Sequence, residues 1–317
     1  MGAKDAVTKA YMSNPVIFAD AFNFILYNGR KVIQPGSLKP LDTAAVSLPY
    51  GDDYIQIPVQ RYRDLLQQCT VMQDKYISYI LLGIENQSEI HYAMPVRNML
   101  YDALQYAEQV QTIAAKHRQT KKAPSSAPGA FLSGFYPEDR LTAVITLVVC
   151  FSSDPWLAPT SLHEMIDLPD KNILKFIPDY RINLITPTMF NDENAGKLSS
   201  ELREVMLYLK CAKSKTELRN LVQTDPNYKN MSVTSVNLLN ILTGSNLPIP
   251  QDEEVIDVCK AIEEMITDAK SEGMASGIER GVERTALAML KDHLPLETIA
   301  KYTSLPTLRL NELAATI

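Results

Sequence analysis

The run YISYILLGI at 76–84 sets the frame for this 317-residue chain. Tyr, Ile and Leu stand at both odd and even positions, so a strand built from them is apolar on both faces. Such a strand belongs at the centre of a sheet that is covered on each side. Glu85, Asn86 and Gln87 follow it directly. A carboxylate that ends a doubly covered strand is drawn out of water and needs a partner. The stretch therefore predicts an α/β fold with a polar site at the end of its central strand.

Residues 64–70 read as a second strand beside it. If Asp74 and Lys75 form the turn of an antiparallel hairpin, Gln73 faces Tyr76, and the same register sets Asp64 opposite Glu85. Side chains alternate along a strand, so Gln87 shares the face of Glu85 and Asn86 points away. Two facing carboxylates repel and cost stability unless something compensates. A hard divalent cation with oxygen ligands is the natural compensator. It would also polarise a phosphate and acidify a water. Asp-Lys is not a favoured two-residue turn, and a slip of one residue would part the acids. Taken alone, Asp64 reads better as a turn acid at a strand start than as a ligand.

Elsewhere, Asn14 caps a helix that carries Phe18, Phe22 and Leu26 at helical spacing and ends at Gly29. A strand is expected at 44–48, a turn at 51–53 and a long helix over 94–118. Residues 119–130, QTKKAPSSAPGA, read as a flexible loop. Strands are expected at 143–151 and 180–185. Helices follow at 197–212, 215–222, 233–242 and 253–290. The end of the chain, LETIAKYT and TLRLNELAA around a break at 304–306, resembles a short helix-turn-helix. Arg309 is the single base in its second helix, which favours a packing or partner-binding hairpin over a groove reader. These segments suggest two domains, an α/β part over 1–195 and a helical part over 196–317. Gly273, Gly277 and Gly281 lie on one face of the longest helix and permit close approach of a second copy, hence a homo-oligomer through the C-terminal helices.

Composition narrows the function classes. With 46% hydrophobic and 21% charged residues the chain is globular and large enough for a substantial core. A net charge of -6 argues against a surface that coats nucleic acid, though not against a metal site that grips it locally. Cys69, Cys150, Cys211 and Cys259 are scattered, with no zinc-site spacing, and His91, His117, His163 and His293 show none either. The longest apolar run, at 144–151, is too short for a bilayer, and the first residues lack a signal-peptide pattern. A cytoplasmic protein without a membrane segment is expected.

Asp, then Glu-x-Gln or Glu-x-Lys at the end of an apolar strand, then a helix, is the layout of the PD-(D/E)XK nucleases. The phrases FADAFNFIL, VIQPGSL, RYRDLL, GIENQSEIHYAMPVRNMLYDALQY, FLSGF, VITLVV, DPW, SLHEMI and PDYRINLI, in this order, resemble the Rpn family of recombination-promoting nucleases and putative transposases. The resemblance implies a restriction-endonuclease-like core, a central mixed sheet flanked by helices, with a helical C-terminal extension. It implies a DNA endonuclease that uses Mg²⁺, with Mn²⁺ as a substitute, and roles in recombination or mobile elements. Asp64 and Glu85 would be metal ligands, joined by the Asn86 carbonyl, and Gln87 would complete the catalytic set. Asp20 in the first helix stands where the superfamily often has another acid, with Asp42 as its competitor. Arg97 and Tyr101 stand where relatives carry an Arg and a Tyr, and would contact DNA. Gln87 departs from the lysine of the wider superfamily, since an amide carries neither positive charge nor basicity. Two rivals remain: a catalytically silent DNA- or partner-binding relative, and an RNA-directed nuclease.

Overall fold

The computed structural model describes residues 2–41, 44–47, 59–62, 64–73, 76–120 and 133–315. Asp42, the Asp74-Lys75 turn and the greater part of the expected loop lie outside them; Gln119 and Thr120 of that stretch close a helix instead.

Helices α1 (Ala3–Met12) and α2 (Pro15–Tyr27) come first. Asn14 caps α2, its side chain accepting the Val16 N–H at 2.9 Å, with Pro15 in the first turn where its missing N–H costs nothing. Asn28 and Gly29 end it in left-handed conformations. A Cβ on Gly29 would lie 2.5 Å from the Lys197 carbonyl oxygen. Gly29→Ala is therefore expected to cost about 1–3 kcal/mol of stability through strain and overlap. A lowered midpoint in urea denaturation would show it; an unchanged midpoint would mean the backbone relaxes freely.

The strands are β1 (Leu38–Pro40), β2 (Ala44–Ser47), β3 (Val59–Tyr62), β4 (Leu65–Gln73), β5 (Tyr76–Gln87), β6 (Ala143–Cys150) and β7 (Asn183–Ile185), with helix α3 (Met94–Thr120) between β5 and β6. Among the described residues, five strands form one sheet in the order β1-β4-β5-β6-β7, while β2 and β3 pair separately. β1–β4 and β4–β5 are antiparallel; β5–β6 and β6–β7 are parallel. The chain is thus α/β with a central mixed sheet flanked by helices, and β5 has neighbours on both sides.

Register and alternation assign the faces. Leu66 of β4, Leu81 of β5 and Val144 of β6 share one face and form a cluster with Tyr106 of α3. Leu82, Ile84, Leu147 and Val149 occupy the other face and are fully or almost fully buried. The β5-α3-β6 connection gives a βαβ unit whose helix lies over the first face.

The chain divides into two compact units, Met1–Ile256 and Asp257–Ile317. The first unit runs past the boundary expected near 195 because the next helices pack back on it. After a single turn α4 (Asp192–Ala195) come α5 (Leu202–Cys211), α6 (Lys215–Thr224) and α7 (Val233–Thr243). α5 packs on α2, and α7 packs on α1. A small ribbon of β8 (Met231–Ser232) and β9 (Val255–Ile256) closes the unit.

The second unit holds α8 (Val258–Lys291), α9 (Leu296–Thr303) and α10 (Thr307–Ala314). Its core gathers Ala286, Ile299, Leu310 and Leu313, so the final helical hairpin packs on the last turns of α8. Arg309, the single base of the last helix, pairs with Glu283 and Glu312. No helix among the described residues is long and apolar enough to cross a membrane.

Candidate metal-binding and catalytic site

Leu65 pairs with Ile84 and Gln73 with Tyr76, the register in which the position opposite Glu85 is Asp64. Asp64 sits in a bend just before β4 and is half-buried. Its Oδ2 accepts the Asn86 N–H at 2.8 Å, which holds the carboxylate against the end of β5. Glu85 is fully buried. By alternation it lies on the α3 face, and α3 supplies its counter-charge: Arg97 Nη2 is 3.1 Å from Glu85 Oε2. Arg97 Nε also donates to the Tyr101 hydroxyl at 3.2 Å. The first turn of α3 thus delivers a cation to the acid because the helix begins at Met94, a short step beyond the strand end.

These placements set the electrostatics. Burial pushes the Asp64 carboxyl above its ordinary value. The Asn86 N–H and the charges of Arg97 and Lys9 oppose that shift, and Asp5 adds to it. Burial works against the Arg97 charge, but Glu85 and the bond to Tyr101 outweigh it, so the guanidinium is raised above its ordinary value.

Gln87 is half-buried on the face of Glu85. Its amide nitrogen donates to the Asn86 carbonyl at 2.9 Å. That carbonyl, the expected third metal ligand, keeps a second lone pair. Asn86 itself is buried on the opposite face, and its side-chain amide has no hydrogen-bond partner among the described residues.

Two expected site residues are placed differently. Asp20 is buried, and it accepts from the N–H and hydroxyl groups of both Ser199 and Ser200, at 2.7–3.0 Å. Its carboxylate is committed to tying α2 to the approach of α5, so the structure does not bring it to the Asp64–Glu85 pair. Tyr101 is only 4% exposed and holds Arg97, which makes it a support for that side chain and not an open contact for DNA. Among the described residues no group of three or more His, Cys, Asp or Glu converges as a metal cluster.

Several neighbours were not foreseen. Lys9 and Asp5 of α1 influence Asp64, and the Ser88 hydroxyl reaches Asp5 Oδ1 at 3.4 Å. Asn98, next to Arg97, is fully buried with its amide unpartnered among the described residues. The sequence held one signal for α1, a lysine and an acid four residues apart, but no motif tied it to the hairpin. Behind the site, Asp102 of α3 accepts from Thr146 of β6 at 2.6 Å and from the Tyr180 hydroxyl, which fixes the helix over the sheet.

A cleft of about 780 Å³ opens beyond the ends of β5 and β6. Its lining includes Lys4, Ser88, Tyr92, Phe151, Leu157 and Lys213. The position follows a general habit of α/β sheets, which bind ligands outside the carboxyl ends of their parallel strands.

Comparison with protein-family models, with curated proteins and with solved structures gave no match to this chain.

Proposed function

We propose that this chain is a metal-dependent endonuclease that hydrolyses DNA phosphodiester bonds. The observation that carries the proposal is the hairpin register, which, continued one residue beyond the Leu65–Ile84 pair, brings Asp64 opposite Glu85, with the Asp64 carboxylate held by the Asn86 N–H. The ordered phrases that resemble the Rpn family, within the PD-(D/E)XK superfamily, point the same way. A restriction-endonuclease-like core belongs to this proposal, as do DNA as partner and a cytoplasmic location.

The residues fit a hard cation. Asp64, Glu85 and the Asn86 carbonyl offer oxygen donors only, the set that suits Mg²⁺ or Mn²⁺ with water completing the shell. When bound, the ion would polarise a phosphoryl oxygen and make a water acidic enough to attack phosphorus. Asp64 and Glu85 hold the charge in place. Arg97, released from Glu85, forms a planar donor fork for a phosphate. Gln87 orients water or phosphate through its amide and cannot serve as the base.

A second reading, a catalytically silent DNA- or partner-binding relative, is favoured by one observation. The Gln87 amide turns back and donates to the Asn86 carbonyl, at the position where a lysine would act.

Supercoiled plasmid incubated with the purified chain separates the two. Nicked or linear DNA is expected with Mg²⁺ and none with excess EDTA. Intact plasmid across both Mg²⁺ and Mn²⁺ would sink the nuclease proposal. Parallel single strands and RNA would then identify a different substrate.

A further inference from the structure

The cleft beyond β5 and β6 begins where the proposed metal site ends. Ser88, which lines it, follows Gln87 directly, and the Phe151 N–H donates to the Gln87 carbonyl at 2.8 Å. That bond ties one wall of the cleft to the end of β5. Phe151 and Leu209 are each only 2% exposed and give the cleft an apolar floor. Tyr92 and Leu157 also line it, yet they are 68% and 81% exposed, so their apolar surfaces stand in water. The turn that presents Tyr92 is fixed. The Ala93 N–H donates to His91 Nδ1 and the Met94 N–H to the His91 carbonyl, both at 3.2 Å.

Charge narrows what fits. The described lining holds two lysines and two acids, Lys4, Lys213, Glu89 and Asp154, and Lys213 pairs with Asp154. A run of phosphates calls for a cationic lining, and this one is balanced. The volume of about 780 Å³ is that of a pocket for a small organic group. An uncharged ring with flat apolar faces and a polar edge suits these walls. Its face stacks on an exposed tyrosine. Its edge meets the hydroxyls of Ser88, Ser152 and Thr243, which both donate and accept and so serve any base. We propose that the cleft is a subsite for an unpaired nucleobase, stacked on Tyr92 and next to the phosphate held at Asp64 and Glu85. This rests on the nuclease proposal above and deepens it, by naming the substrate class as DNA with an unpaired base beside the cut. A base inside a perfect duplex must first be unstacked and swung out, at a cost of a few kcal/mol. A bulge, a frayed end or a single strand offers its base without that cost.

The test uses labelled duplexes that are fully paired, carry one extra unpaired base, or carry an abasic nucleotide in its place. The abasic duplex keeps the flexibility of a bulge and lacks the base. Binding to the full chain is followed by fluorescence anisotropy in Ca²⁺, which takes the same oxygen ligands as Mg²⁺, and cutting is measured in Mg²⁺. The wild type is expected to bind the unpaired base about 5- to 150-fold more tightly than the abasic bulge, the worth of one base–aromatic stack. The four bases should differ little. Tyr92→Ala should bring the two affinities together, Leu157→Ala should narrow the gap, and Tyr92→Phe should keep it. Thermal melts of the variants identify any loss of fold. Equal binding of the two bulged duplexes by the wild type overturns the subsite, as does failure to bind any of the three. An unchanged preference in both Tyr92→Ala and Leu157→Ala overturns it too. A base preference without cutting removes the nuclease reading and leaves the subsite standing. Cutting without a base preference does the reverse.

Discussion

Glu85→Gln is expected to abolish the proposed metal-dependent DNA cleavage while leaving the fold in place. The amide keeps the volume of the side chain, and its oxygen still accepts from Arg97, so the strand end and the start of α3 have no reason to move. What disappears is the charge that would hold a divalent cation opposite Asp64. Losing one preorganised group at a transition-state charge costs about 10²–10³-fold in rate, and loss of a metal ligand should cost at least as much. Plasmid cleavage and circular-dichroism melts on the same preparation make the comparison. A variant that keeps its melt and still cuts at the wild-type rate would show that Glu85 is a structural acid paired to Arg97. Excess Mn²⁺ giving partial recovery would fit a weakened but surviving site.

Asp20→Ala should do the reverse, lowering stability sharply while leaving metal dependence alone. The carboxylate accepts from two backbone N–H groups and two hydroxyls of Ser199 and Ser200, and it is 3% exposed. Removing it strands the N–H and hydroxyl donors of both serines. The cost is about 2–5 kcal/mol by the usual penalties for orphaned buried groups. A unit of this size loses about 2–4 °C of melting temperature per kcal/mol, so a fall of roughly 4–20 °C is expected. Asp20→Asn should recover little, because its amide NH₂ meets a site already filled with donors. A normal melt combined with a changed Mg²⁺ requirement would return Asp20 to the metal site.

The sequence carried the central hairpin well because two local signals agreed. The doubly apolar run at 76–84 marked β5 as central, and a turn at 74–75 implied the register that the described residues on either side keep. The helices were legible for similar reasons: Asn14 caps α2 as its side chain suggests, and α9 and α10 break at Ser304 and Pro306 as expected. Short elements were not. β1 and the β8–β9 ribbon are two or three residues long, and they owe their pairing to the strand beside them and not to a pattern of their own. α1 was missed because its buried side chains, Thr8, Tyr11 and Met12, include a polar one and cover a single turn. The end of the first unit was invisible because α5 and α7 look like any amphipathic helices; only their packing on α2 and α1 assigns them.

The site divided in the same way. Asp64, Glu85 and Gln87 could be placed from alternation alone, since they lie within one hairpin. Arg97 could be placed on the helix but not aimed, as its reach to Glu85 depends on where α3 starts over the sheet. The partners of Asp20 could not be read from the sequence, because they are residues 199 and 200, far along the chain. Lys9 went unnoticed for a related reason: its relation to Asp64 exists only after α1 has docked on β5.

The Arg97–Glu85 pair carries a further consequence for how such a protein is kept ready. Under the proposed chemistry, the guanidinium beside the buried acid would offset its charge before any ion arrives, and the fold would not depend on a metal supply. In zinc-stapled domains the ion is part of the fold, and a chelator unravels them. Here, under the proposed chemistry, withdrawing the ion would idle the protein and not dismantle it. An arriving ion would compete with an internal lodger for its seat. Cellular levels of free Mg²⁺ or Mn²⁺ would then set how much of the population is armed, and the affinity of Arg97 for Glu85 would set the threshold.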